Sequence, residues 1–138
     1  MELKKLALAV VVGYVVLVGL SSLIHDFWLL PIYRQNENLW RAEIVVTDKR
    51  WVMWVGQFIF TVVFAWIYTR GVEAKPWVGQ GLRFGILMTL LAVVPAACTQ
   101  YVFYPIRYTL ALRWMVAGAV QLVALALIVA WSFRKPAT

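Results

Sequence analysis

Four stretches of this chain carry no charged side chain: Leu6–Ile24, Trp51–Thr69, Phe84–Ile106 and Trp114–Phe133. They are 19, 19, 23 and 20 residues long and take up more than half of the 138 residues. A helix rises about 1.5 Å per residue and a bilayer core is about 30 Å thick, so each stretch is long enough to span. Inside lipid every backbone N–H and C=O must find a partner within the protein, which restricts such spans to helices or closed barrels. Uncharged runs of this length point to helices. The expected fold is all-α: a transmembrane antiparallel four-helix bundle forming one domain over residues 1–138, bathed by the lipid bilayer.

Composition bears on what else the chain can be. Hydrophobic residues make up 64% and charged residues 14%, against about 45–50% and about 25% in soluble domains. The excess sits in the four runs, and no connection is long enough to fold as a separate soluble domain. The net charge of +7 comes from Lys and Arg at the ends of the runs, where they anchor and orient helices. They form no continuous basic stripe, so nucleic acid is not an expected partner.

The chemistry-bearing residues are few. Cys98 is the one cysteine, which excludes an intrachain disulfide and suits a small residue at a helix interface. His25 is the one histidine, so haem held by two histidines of this chain is excluded. No pair of cysteines offers a zinc or iron–sulfur site. The segment Gly79-Gln80-Gly81-Leu82-Arg83-Phe84-Gly85 has the wrong spacing for a dinucleotide fingerprint, and no strand precedes it. No run carries a central carboxylate, which argues against a small proton-coupled exporter. No catalytic residue, metal site or cofactor is expected, and the balance leans away from an enzyme.

Lys4 and Lys5 precede the first run, and Gly19-Leu20-Ser21 has the small-x-small form of a signal-peptide cleavage site. The length of the run sides with a retained span. An even number of spans puts both termini on one side, with Lys4, Lys5, Arg70, Lys75, Arg83, Arg134 and Lys135; the other side has Arg34, Arg41, Lys49, Arg50, Arg107 and Arg113. The first span usually dominates, and its lysines place both termini in the cytoplasm.

The outer connection, residues 26–50, mixes apolar and charged residues. Leu39, Trp40, Ile44 and Val45 sit near helical spacing and predict a short interfacial helix. Thr47 and Asp48 read as caps of the second span. The inner connection from Arg70 to Arg83 holds Gly71, Pro76, Gly79 and Gly81 and reads as a turn. Pro95 predicts a bend in the third span. Aromatic residues such as Trp28, Tyr33, Trp40, Tyr104 and Trp114 gather at the outer boundary, as an interfacial belt would.

The two halves are faintly alike. Pro31-Ile32-Tyr33-Arg34 follows the first run and Pro105-Ile106-Arg107-Tyr108 ends the third. Arg50-Trp51-Val52-Met53 and Arg113-Trp114-Met115-Val116 open the second and fourth; Lys75-Pro76 and Lys135-Pro136 follow them. Gln57 and Gln121 each lie 13 residues before an arginine. Two pseudo-repeated hairpins related by an axis along the membrane normal would put these glutamines at equivalent depth; chance likeness among apolar spans is the rival reading. Small residues at four-residue spacing, Ala9 and Gly13, then Gly81, Gly85 and Thr89, mark faces where helices approach closely, within the chain or between copies.

Polar groups within the membrane need a partner or a purpose. His25, Asp26, Gln57, Gln100, Arg107, Arg113 and Gln121 are the candidate ligand-binding residues. Most lie in the outer half, where they would converge on one polar pocket. His25 is the side chain whose ordinary pKa lies nearest neutrality. The structural alternative makes Asp26 the ion-pair partner of Arg107 or Arg113.

The segments Asn38-Leu39-Trp40-Arg41-Ala42-Glu43, Arg50-Trp51-Val52-Met53-Trp54, Tyr68-Thr69-Arg70-Gly71, Gly81-Leu82-Arg83-Phe84-Gly85 and Tyr104-Pro105 together resemble small uncharacterised bacterial membrane proteins with four spans. The resemblance implies a bacterial inner (cytoplasmic) membrane location and no activity. On sequence, the leading expectation is a non-enzymatic accessory or scaffold protein that binds another membrane protein or forms a homo-oligomer. The alternative is a small-molecule or lipid binder or transporter using the outer polar pocket.

Overall fold

The computed structural model describes residues 2–134. Lys135 and Pro136, which complete the likeness between the halves, lie outside the described residues. The described chain is helical and contains no strand. Its elements are α1 (Leu3–Leu23), a π-helical turn (Ile24–Trp28), α2 (Leu30–Gln35), a 3-10 turn (Glu37–Leu39), α3 (Glu43–Thr69), α4 (Trp77–Met88), a second π-helical turn (Thr89–Val93), α5 (Val94–Phe103) and α6 (Tyr108–Ser132). Four continuous helical stretches, Leu3–Trp28, Glu43–Thr69, Trp77–Phe103 and Tyr108–Ser132, are long and apolar enough to cross a membrane.

The helices outrun the uncharged runs. Charge ends a membrane-compatible stretch without ending a helix, so Asp48, Lys49 and Arg50 ride inside α3, which starts at Glu43. Thr47 and Asp48 are therefore interior residues and not caps; Ala42 holds the N-cap position. The expected interfacial helix is absent. Leu39 closes the 3-10 turn, Trp40 is extended, and Ile44 and Val45 belong to α3. The six-residue α2 takes that place, with Pro31 in its first turn, where a missing N–H costs nothing. The turn expected over 70–83 is shorter, because Gly79 and Gly81 lie in α4.

Both π-helical turns stand immediately ahead of a new helix with proline in its first turn, Pro31 in α2 and Pro95 in α5. A proline inside a helix clashes with the carbonyl four residues back and leaves it unbonded. The wider π turn relieves the clash and re-aims the chain, so the expected bend at Pro95 takes this form. Thr99 Oγ1 donates to the Pro95 carbonyl at 2.8 Å.

The main core is a single cluster. Ala9, Val10 and Leu17 of α1 meet Phe64, Ala65 and Tyr68 of α3, Met88 of α4, and Leu122, Leu125, Ala126, Val129 and Ala130 of α6. Helices α1 and α6 are central: α1 packs along α3 and α6, and α6 along α1 and α4. A Cβ on Gly85 would stand 2.8 Å from the Val123 Cα, and one on Gly118 would stand 2.5 Å from Val93 Cγ1. Helix α6 thus seats α4 and the second π turn at van der Waals distance because these positions have no side chain. Cys98 departs from expectation, lying on an exposed face of α5.

Candidate functional site

The first π turn carries His25. Leu29 donates its N–H to the Ile24 carbonyl at 2.9 Å and is fully buried, which pins the end of the turn. Helix α2 then brings Tyr33 back to His25: His25 Nδ1 and Tyr33 Oη are 2.8 Å apart. The two rings stack, with centroids 6.0 Å apart and 10° between planes. Trp114 of α6 donates from Nε1 to the same Tyr33 oxygen at 2.9 Å. Trp40 closes the group edge-on, 5.2 Å from Tyr33 and 6.3 Å from Trp114. Beneath it Ile106, Leu110 and Ala111 form a small core with Ile32, Tyr33 and Trp114.

The Tyr33 hydroxyl has one proton and two lone pairs. With Trp114 donating to it, either the hydroxyl proton goes to His25 Nδ1 or His25 donates and the hydroxyl proton is free. Each arrangement leaves the pair with one unspent donor. Burial pushes the Tyr33 hydroxyl above its ordinary pKa, against the pull of the Trp114 hydrogen bond, so it stays a phenol at neutral pH.

These residues wall a cavity of about 380 Å³ that also takes in Gln100, Tyr104, Ala117, Gly118 and Gln121. Gln100 is exposed and Gln121 half-buried, and no Lys, Arg, Asp or Glu lines the cavity. A second, larger hollow of about 990 Å³, also lined by His25 and Tyr33, lies between the end of α1 and the start of α3.

Of the seven candidate residues, three meet in the cavity: His25, Gln100 and Gln121. Asp26 is exposed and faces the larger hollow with Arg41, Asp48, Lys49 and Arg50. Arg107 and Arg113 line a third depression with Gln35 and Asn36. The expected ion pair of Asp26 with either arginine does not form: the ion pairs among the described residues are Lys5–Glu2, Lys75–Glu73 and Arg83–Glu73. An exposed carboxylate keeps its water and needs no such partner. The Arg113 guanidinium instead lies 5.9 Å from the Trp28 ring centroid, a cation–π approach.

Gln57 is also elsewhere. Its Nε2 donates to Ser21 Oγ at 3.3 Å, tying α3 to α1, and its buried Oε1 has no partner. Gln57 and Gln121 therefore have unlike surroundings, one against a serine and the other on a cavity wall. Tyr33, Trp40, Tyr104 and Trp114 are the site residues that sequence reasoning assigned to an interfacial belt.

Comparison of the chain with models of known families, with curated proteins and with solved structures finds no match.

Proposed function

We propose that this is a multi-pass bacterial inner-membrane protein that binds a small uncharged molecule in the cavity beside His25. The four long helices then form an antiparallel bundle with both termini in the cytoplasm and the cavity in the periplasmic half. Large apolar side chains exposed along the helices, among them Val11, Val15, Ile59, Leu91 and Val102, support this placement, since lipid is what such a surface suits.

One observation carries the binding reading. A cavity of about 380 Å³ has aromatic walls and a few polar groups, two of them carboxamides. That combination is what small-molecule sites require: apolar area for affinity and sparse, fixed polar groups for orientation. The scaffold reading drew on span centres without charge and on large aromatic and small-residue surfaces, of which only the last is addressed by the packing. Gly13 against Leu125, Gly81 and Gly85 against α6, and Gly118 against Val93 occupy those faces within the chain, which weakens its support.

The test is purification from native membrane in mild detergent, followed by mass spectrometry of small molecules that copurify. Trp114→Ala removes the cavity wall and serves as the comparison. A compound retained by the parent and lost from Trp114→Ala is the expected result; identical small-molecule profiles from both would count against the reading.

A further inference from the structure

The cavity is unusual for what it lacks. Every polar atom offered by His25, Tyr33, Gln100 and Gln121 belongs to a group that is neutral in its ordinary form at neutral pH. No Lys, Arg, Asp or Glu among its lining residues offers a counter-charge to a ligand that carries a net charge, so charge complementarity favours an uncharged one. The rings of Trp40, Tyr104 and Trp114 line it, the two indoles edge to face with each other, and aromatic side chains suit a planar ring at stacking distance.

The donors decide the rest. The His25–Tyr33 pair keeps one unspent N–H or O–H after the Trp114 hydrogen bond. The carboxamides of Gln100 and Gln121 add amide N–H groups, with carbonyl oxygens that accept. Donors on separate elements, the first π turn, α5 and α6, match a ring whose carbonyl oxygens lie at separated positions.

We propose, resting on the binding reading above, that the ligand is an uncharged planar ring bearing carbonyl groups, of the quinone class, held by stacking on the tryptophans and by amide donors on its oxygens. The ring is bound as it stands, and no electron transfer is part of the proposal.

The probe is 2,3-dimethoxy-5-methyl-1,4-benzoquinone, titrated calorimetrically into the full chain in nanodiscs of zwitterionic lipid. Anthraquinone and anthraquinone-2-sulfonate form the second pair of probes. Saturable one-to-one binding of the benzoquinone is expected, weakened tenfold or more in Gln121→Leu and in Gln100→Leu. Gln57→Leu, outside the cavity, should bind as the parent does. Anthraquinone should bind and its sulfonate should not. Should Gln121→Leu fail to fold, Gln121→Glu keeps the shape of the side chain and places a charge in the cavity, and it too should lose the probe. Equal binding of the sulfonate, or affinity indifferent to both glutamines, overturns the ligand class. If no ring binds yet a different molecule copurifies with the parent and not with Trp114→Ala, the class fails while the binding reading stands. If no ring binds and nothing copurifies, both fail.

Discussion

Tyr33 holds more of this site together than any other residue. Its hydroxyl joins the first π turn to α6 by accepting from Trp114 Nε1 and meeting His25 Nδ1. Tyr33→Phe keeps the ring stack and removes the oxygen, leaving an indole N–H and an imidazole nitrogen without a partner. The expected loss is about 1–3 kcal/mol, read as a lowered melting temperature in detergent. An unchanged melting temperature would mean that water replaces the hydroxyl fully. Tyr33 was not legible as a site residue in the sequence. An aromatic at the membrane boundary reads the same whether it faces headgroups or a cavity, and the π turn that brings His25 to it has no pattern of its own. Asp26 misled in the opposite direction. A carboxylate beside a histidine draws attention, yet Asp26 is exposed and makes no ion pair among the described residues.

At the scale of elements, glycines give paired predictions of opposite sign. A Cβ on Gly85 would meet the Val123 Cα at 2.8 Å, whereas nothing lies within 4 Å of one on Gly56. Gly85→Ala should push α4 from α6 and cost about 1–3 kcal/mol. Gly56→Ala, in the middle of α3, should hold stability or raise it by about 0.5–1 kcal/mol. Thermal melts of the two variants side by side check both signs. The connection between α3 and α4 titrates. Gln80 clamps it, accepting from the Glu73 N–H at 3.0 Å and donating to the carbonyls of Glu73 and Lys75 at 2.8 and 2.7 Å. The Glu73 carboxyl, hydrogen-bonded by Lys75 and close to the Arg83 charge, is held below its ordinary pKa. Its contribution is therefore present above the ordinary carboxylate value and lost as pH falls through the lowered one. The gap in melting temperature between the parent and Glu73→Gln should shrink over that acid range. A gap that stays constant would show that the charge of Glu73 adds nothing.

For the whole molecule, the even number of long apolar helices and the lysines at positions 4 and 5 set one global expectation. A reporter active only in the cytoplasm, fused after Thr138, should signal; Thr138 itself lies outside the described residues. Activity of a periplasmic reporter at that point would reverse the orientation. The four long apolar helices were legible because the absence of charge over about 20 residues measures the same length that a bilayer does. Their ends were not, because Asp48, Lys49 and Arg50 interrupt apolarity without interrupting helicity. Of the site, Gln100 and Gln121 were legible as polar residues in apolar runs that need a purpose, and His25 as one at the end of a run. Arg107 and Arg113 were read with them on sequence level alone, and the folded chain carries them to a separate depression.

His25 and Tyr33 line the small cavity and the larger hollow alike, so the partition between the two is one imidazole and one phenol thick. Loss of the imidazole in His25→Ala should open a passage between the two chambers of about 380 and 990 Å³. A rigid guest too large for the smaller room would then have somewhere to go. The enlarged variant should accept bulkier rings than the parent does, as comparative calorimetry with a graded series of aromatic probes would show, and identical size limits in the two proteins would mean that Tyr33 alone keeps the chambers apart.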